Sequence, residues 1–440
     1  MSYFDDASLV MIPSGYKTSK VYSVKPTSGD GDLTFTRSND TATRVNSAGL
    51  IEKVRTNICL QSNTFSTTWT TTSASVTSGQ AGYDGTNNAW LLTKSGASGR
   101  INQSFTTTAG LNTFSVYAKA NASSYIAIEF STSFIYVNLT NGAQGSIGTG
   151  TYKIESIGSG WSRISMTTGA TSSIFRIYPA ENNDLSATTG SIFIQNAQLE
   201  TGDIATQPIL TTSAAVSVGP VANVPRLDYL NSSCPRLILE PQRQNLVTFS
   251  EQLNNAAWSK TNCTINANAA TSPSGYQDAD NIVTTAANSD IGRLVASVSA
   301  DTTTYVQSAF FKWVSGSEIV KLRVALSGGT GQGAALIFNV RTGAFVSADT
   351  AYKIENYGNG WYRVSIQLTN NGTNTSLIYQ LFPTNETTAT QTISAWGLST
   401  EAGAYATSYI PTLGAAVTRG ADDTTGPNAG TLGITSAYSI

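Results

Sequence analysis

The chain reads as an all-β protein: two tandem antiparallel β-sandwich modules, jelly-roll-like, behind a short N-terminal segment. Three observations lead there. A block of sequence is written twice, short alternating runs recur between turn signals, and the surface has to be polar without being charged.

The duplicated block is Tyr152-Lys-Ile-Glu-Ser-Ile-Gly-Ser-Gly-Trp161-Ser-Arg163-Ile-Ser, which returns as Tyr352-Lys-Ile-Glu-Asn-Tyr-Gly-Asn-Gly-Trp361-Tyr362-Arg363-Val-Ser. The match extends outward. Arg55-Thr-Asn57 answers Arg243-Gln-Asn245, Val116-Tyr-Ala-Lys119 answers Ala309-Phe-Phe-Lys312, and Leu199-Glu200 through Pro208-Ile209 answers Thr400-Glu401 through Ile410-Pro411. The spacing between partners widens along the chain, so insertions have collected between the matched blocks, where loops are expected. One module used twice is the economical reading. The boundaries it suggests are an N-terminal attachment segment over 1–33, module 1 over 34–210, an extended linker over 211–224, module 2 over 225–416 and a tail over 417–440.

Within each module the strands announce themselves by period-two alternation. Tyr362, Val364, Ile366 and Leu368 alternate with Trp361, Arg363, Ser365 and Gln367, which predicts one face buried in the sandwich and the other exposed or at an interface. Similar runs span Thr113–Ala118, Tyr125–Phe130, Ser133–Leu139, Ser173–Tyr178, Lys321–Leu326, Ala335–Val340 and Ser376–Leu381. Ser159-Gly160 and Asn359-Gly360 are two-residue turn signals that need positive φ, so Tyr352–Ser365 and its counterpart are predicted hairpins. No segment carries a sustained apolar stripe at helical spacing, and helix should be scarce.

Charged residues are 12% of the chain, about half the usual share. Thr, Ser, Asn and Gly take their place, a mixture suited to pleated surfaces and tight turns. With 25 basic and 27 acidic residues the net charge is −2, and no basic run offers a footprint for nucleic acid. No apolar run is long enough for a membrane span, and the Met-Ser-Tyr-Phe start lacks the pattern of a secretory signal.

Candidate chemistry is sparse. The chain has no histidine, which removes the commonest general base and metal ligand. Cys59, Cys234 and Cys263 are too scattered for a disulfide framework or thiolate metal site, and are read as reduced thiols. A glycoside hydrolase needs two carboxylates facing each other across a cleft. Glu155/Glu355 and Glu200/Glu401 are instead repeat partners, one in each module, and Asp278 and Asp280 fall in a polar loop where solvation accounts for them. Asp30-Gly-Asp32 reads as a turn rather than a cation loop. No catalytic residue, metal or cofactor is expected.

The remaining candidates are aromatic. Trp161 and Arg163, like Trp361 and Arg363, sit two apart and share a strand face, where the guanidinium can stack on the indole. That face, with Tyr362 and Trp396, is the candidate contact for a sugar ring or a protein partner. The competing reading has each Trp packed under a loop with Arg covering it. Trp90 and Trp313, present in one copy only, are read as core.

Three segments carry a family resemblance. Leu33-Thr-Phe-Thr-Arg-Ser-Asn-Asp-Thr-Ala-Thr-Arg-Val-Asn-Ser-Ala-Gly-Leu-Ile-Glu52, Pro225-Arg-Leu-Asp-Tyr with Leu237-Ile-Leu-Glu-Pro-Gln-Arg-Gln-Asn-Leu246, and Glu401-Ala-Gly-Ala-Tyr-Ala-Thr-Ser-Tyr-Ile-Pro-Thr412 resemble bacteriophage virion proteins of the head-spike-fibre and tail-fibre type. Their repeats are similar to carbohydrate-binding β-sandwich modules. The stretch Leu9-Val10-Met11-Ile12-Pro13 looks most like phages of gut Bacteroides-type hosts, the crAss-like group included. The resemblance implies a fibre or decoration subunit in the virion, held to other virion proteins through Leu9–Pro13. It implies a homotrimer, and exposure to host cell-surface glycans. Both chain ends are accordingly expected to dock against neighbours.

Overall fold

The structure is a computed structural model describing residues 3–107, 110–131, 133–169, 172–385 and 390–427. It is an all-β protein of two sandwich modules. The described helix is a single turn, Tyr3–Asp6. The chain divides into two compact units, Arg55–Val218 and the combination of 1–54 with 219–440. The first unit is therefore an insertion in the sequence of the second.

In Arg55–Val218 two six-stranded antiparallel sheets face each other. One runs, in spatial order, Gln144–Ile147, Ser133–Asn138, Tyr125–Phe130, Ser172–Ala180, Arg100–Thr106, Thr70–Thr72. The other runs Thr151–Gly158, Trp161–Thr168, Asn112–Ala120, Gly190–Thr201, Ala89–Lys94, Ala74–Gln80. Alternate residues from both close the core: Ile126, Ile128 and Phe130, Ile135 and Val137, Phe175 and Ile177 from the first sheet, Phe114, Val116, Ile164 and Met166 from the second.

The second sandwich repeats this order strand for strand. Its sheets run Phe345–Ala348, Gln332–Asn339, Ile319–Ser327, Ser376–Phe382, Asp290–Ser297, Ser259–Thr261, and Tyr352–Asn356, Trp361–Thr369, Thr304–Gly316, Gln391–Ala402, Ala279–Thr284, Cys263–Ala270. Each expected alternating run falls on one of these strands, displaced at the ends by at most three residues. Both hairpin turns have the anticipated positive φ: 51° and 78° at Ser159 and Gly160, 51° and 80° at Asn359 and Gly360.

The repeated Arg-x-Asn motif has a structural role. Asn57 is fully buried and makes four hydrogen bonds. Its amide donates to the carbonyls of Ala197 (3.2 Å) and Ile209 (2.7 Å), and its oxygen accepts from the N–H groups of Cys59 and Leu199 (3.0 Å each). Asn245 repeats the pattern with Leu398, Ile410, Val247 and Thr400. Each side chain satisfies four buried backbone groups where the long closing strand turns into the loop after it.

Residues expected to lie outside the modules carry secondary structure. Val216–Val218, placed in the expected linker, pairs with Arg55–Asn57 inside the first unit. Val10–Lys17 and Lys20–Lys25 form a hairpin, continued by Leu33–Thr36 and then by Asp423–Thr425 in one four-stranded sheet. The expected attachment segment is thus a strand of the second unit, with Leu9 and Ile12 exposed and Val10, Met11 and Pro13 half-buried. The unit boundaries consequently fall at 54/55 and 218/219 rather than at 33/34 and 210/211. Residues 428–440 of the expected tail lie outside the described residues.

A buried ionic junction holds these segments. Arg37 Nη1 donates to Asp422 Oδ1 at 2.9 Å, while Arg226 pairs with both Asp422 and Glu240, the latter at 2.8 Å. Arg419 Nη1 lies 2.8 Å from Glu240. Arg37 also donates to the Pro220 carbonyl at 2.7 Å, and Arg419 to that of Pro241 at 2.6 Å. Burial alone would raise the Glu240 carboxyl, but Arg226 and Arg419 outweigh it and hold it down to about 2. The residues that carried the family resemblance, Arg37, Arg226 and Glu240, build this junction. A spacing shared by Arg37-Ser-Asn-Asp40 and Arg419-Gly-Ala-Asp422 marks it in the sequence.

Candidate functional site

The Trp–Arg faces are buried. Trp161 and Trp361 are each 2% exposed, Trp396 0%, Arg163 6% and Arg363 4%. Both strands are therefore covered on two sides, and the second face is not the exposed one that a sugar contact needs. In the second unit the hairpin of Thr43–Val45 and Ile51–Lys53 supplies the cover: Val45 and Ile51 pack with Phe310, Trp361, Trp396 and Tyr409. Trp361 Nε1 donates to the Thr271 carbonyl at 3.1 Å. In the first unit Trp161 packs with Tyr83, Tyr117 and Ala89.

The guanidinium groups stack on other rings than the expected indoles. Arg163 lies 5.3 Å from the Tyr117 ring centre and Arg363 5.3 Å from that of Phe310. An indole so covered offers no face to a pyranose ring. Tyr362 is half-buried at the edge of the same strand.

The carboxylates also serve structure. Glu200 accepts from the Thr206 N–H at 2.9 Å and from its hydroxyl, and Glu401 accepts from the Thr407 hydroxyl at 2.6 Å. Each holds the loop after its closing strand. Asp278 and Asp280, expected to be solvated, are buried. Asp280 accepts the N–H groups of Leu253 (2.7 Å) and Asn268 (2.9 Å), and Asp278 lies 3.6 Å from Lys53. Among the described residues no group of three or more Asp, Glu or Cys side chains is placed to hold a metal ion, and no helix is long and apolar enough to cross a membrane.

A different site emerges on the outer face of the first sandwich. Because Ile126 and Ile128 point inward, Ala127 and Glu129 point outward. The ladders set Ala127 between Tyr136 and Tyr178, and Glu129 between Phe134 and Arg176. Two strand spacings of about 4.8 Å separate the backbones of Tyr136 and Tyr178, and only a methyl group stands between them. The result is a recess of about 340 Å³ lined by Ala127, Phe134, Tyr136, Tyr178, Ser146, Asn183 and Leu185, in which Ala127 and Tyr178 are themselves buried with Leu185 packed against them.

Polar groups line one side of this recess. Tyr178 donates its hydroxyl to Glu129 Oε2 at 2.6 Å, and Arg176 forms an ion pair with the same carboxylate. Asn183 Oδ1 accepts the Ser146 N–H at 2.7 Å, which anchors the mouth. Burial pushes the Tyr136 phenol up, with Asp184 and Glu129 adding to it. Burial, with the bond to Glu129, does the same to Tyr178. Both phenols are therefore neutral hydrogen-bonding groups at any physiological pH. Flat apolar walls next to a carboxylate, a guanidinium and an amide match what a sugar presents: C–H faces and a rim of hydroxyls.

The second sandwich fills the corresponding place. Lys321 stands between Ile337 and Phe382, and Arg323 between Ala335 and Gln380. The Lys321 ammonium sits 4.0 Å from the Phe382 ring centre, across the gap that Ala127 leaves open.

No family model and no curated protein matches the chain. Among solved structures it is similar to the N-terminal tandem CBM22-1–CBM22-2 domain of Paenibacillus barcinonensis Xyn10C, at 11% identity and a TM-score of 0.24, covering 76% of this chain and 93% of that one. It is also similar to the tandem CBM51 modules of Sp3GH98, the family 98 glycoside hydrolase from Streptococcus pneumoniae SP3-BS71, at 11% identity and a TM-score of 0.17, covering 71% and 84%. Both likenesses are faint, and the two-sandwich fold rests on the strand ladders themselves.

Proposed function

We propose that this chain is a non-catalytic carbohydrate-binding protein whose first sandwich holds a neutral sugar unit of a host cell-surface polysaccharide in the recess between Tyr136 and Tyr178. One observation carries the reading: a recess of about 340 Å³ is lined by the exposed Phe134, the half-buried Tyr136 and the buried Tyr178, with Glu129 and Asn183 beside them. A carboxylate neutralised by its own guanidinium partner accepts hydroxyl hydrogen bonds without demanding a charged ligand. A glycan array probed with the full chain is the test. Retention of a neutral glycan, weakened by Tyr136→Ala and by Glu129→Gln in a protein of unchanged melting temperature, is the expected result. An array with no retained neutral glycan, or binding indifferent to both substitutions, overturns the reading.

A second reading places this activity on a bacteriophage particle, as a trimeric fibre or decoration subunit attached through Leu9–Pro13. It draws support from the exposed Leu9 and Ile12 on the N-terminal strand and from the resemblance of the segments that build the ionic junction. Mass spectrometry of purified virions and the solution mass of the protein test it. Absence from particles together with a monomeric mass excludes it.

A further inference from the structure

The sheet face that holds the recess continues past it. Ile135, Ile128, Ile177 and Ile101 are ladder partners on neighbouring strands and lie in the core, so the adjacent rung points outward. That rung reads Phe134, Glu129, Arg176, Asn102 and Thr70, five residues on five adjacent strands. At about 4.8 Å per strand it spans about 19 Å, longer than a disaccharide. The recess takes up one end of it.

The other end holds a second opening. Thr70–Thr72 pairs only with Arg100–Asn102, and where that short strand stops the edge of Gln103–Thr106 is left unpaired on this side. A groove of about 440 Å³ lies there, with Ile58, Leu60 and Phe105 as its apolar part and Asn102, Ser104 and Thr70 among its polar groups. Ser104 and Thr70 are exposed and Asn102 is half-buried; among the described residues none of the three side chains makes a hydrogen bond. Their hydroxyls and amide keep their full bonding capacity for a ligand. Among the described residues no charged side chain lines the groove, and between groove and recess Glu129 and Arg176 neutralise each other. At the same rung of the second sandwich Gly292 stands between Ser259 and Gln380, and Ser259 donates its hydroxyl to the Gly292 carbonyl at 2.9 Å. Packing of the shared fold therefore does not require an amide where Asn102 stands.

We propose that a linear, uncharged polysaccharide lies along this rung, one unit in the Tyr136–Tyr178 recess and a later unit in the groove. Asn102, Ser104 and Thr70 bond its hydroxyls there, while Ile58, Leu60 and Phe105 lie against the C–H face of a ring. The inference rests on the sugar reading of the recess and narrows its ligand to a chain of about three units or more, set by the span of the rung. Because the units are covalently joined, occupation of the recess raises the effective concentration of the later unit at the groove.

Calorimetric titration of the full chain with cello-, manno- and isomalto-oligosaccharides, from monosaccharide to hexasaccharide, tests the proposal. Affinity should rise with length in at least one ladder and level off once the rung is filled. The double variant N102A/S104A should bind the longer members about tenfold more weakly and the monosaccharide unchanged, at an unaltered melting temperature. Tyr136→Ala should weaken every length. Equal affinity at all lengths, or a length dependence that survives N102A/S104A, overturns the proposal and leaves the recess reading standing. Absence of binding at any length in all three ladders overturns it together with the recess reading. An open strand edge also accepts a strand of a second copy. A solution mass that doubles with concentration, with hydrogen exchange slowed at Gln103–Thr106 in the dimer, assigns the edge to that copy and overturns the proposal.

Discussion

Ala127 and Lys321 occupy the same rung of the two sandwiches, each flanked across the sheet by the equivalent pair of neighbours, Tyr136 and Tyr178 in one, Ile337 and Phe382 in the other. The methyl group leaves a recess and the ammonium stem fills it. Ala127→Lys should therefore close the first recess by copying what the second sandwich already accommodates. Glycan affinity should fall at least tenfold, about 1.4 kcal/mol, while the melting temperature stays near that of the parent protein. Calorimetric titration beside a thermal scan checks both halves of the expectation.

Trp161→Ala and Trp361→Ala should act as core deletions. Removing either indole is expected to destabilise its own unit by about 3–5 kcal/mol. Urea unfolding should show a lowered midpoint for the affected unit. Any loss of glycan retention in these variants should disappear when the folded fraction is taken into account.

Asn57→Ala and Asn245→Ala should report on the two units separately. Each leaves two carbonyls and two N–H groups buried without their partner, at about 1–3 kcal/mol for every group left unsatisfied. Differential scanning calorimetry should show Asn57→Ala lowering the transition of Arg55–Val218 and Asn245→Ala that of the other unit.

Asp422→Asn removes a carboxylate shared by Arg37 and Arg226 and should cost about 3–5 kcal/mol. Hydrogen exchange should then rise first at Leu33–Thr36 and Asp423–Thr425, the paired strands adjoining the junction.

Acid should loosen the same junction. Glu240 is held at about 2, below its ordinary value of 4.5. A carboxyl with a lowered folded pKa contributes stability above its unfolded pKa and loses it as pH falls toward the folded one, on the order of 3 kcal/mol for this shift. The expected window is pH 4.5 down to about 2. Glu401, whose burial pushes its carboxyl up, works in the opposite sense and offsets part of this loss. Chemical denaturation across that range in the parent and in Glu240→Gln separates the two contributions.

Strand alternation made the fold legible, because inward residues of a sandwich must be apolar at period two whatever the surface does. The site was hidden by the same repetition that revealed the architecture. Matching the copies draws attention to Trp161/Trp361 and Arg163/Arg363, which recur because packing requires them. The recess lies where the copies disagree. Its walls come from Ser133–Asn138 and Ser172–Ala180, and its floor is an alanine that no chemical motif would single out. A signal did exist: in Tyr125–Phe130 and Ser133–Asn138 the outward positions carry Tyr125, Phe134 and Tyr136, where solvent-facing polar residues are the norm. Two-sided burial of the Trp strands could not be read locally, since the cover in the second unit is a hairpin hundreds of residues away in sequence.

The junction also dictates an order of events during synthesis. Arg55–Val218 has all its strands once residue 218 has left the ribosome, and can fold while translation continues. The surrounding unit cannot. Arg37 emerges early but must wait for Arg226 and Glu240, and then for Arg419 and Asp422, before its charge finds a partner. Until then Leu33–Thr36 presents an open strand edge to whatever lies nearby. A pause or premature stop late in the message would thus leave one sandwich native and the other unlatched, with its earliest-made segment the most exposed to misassociation.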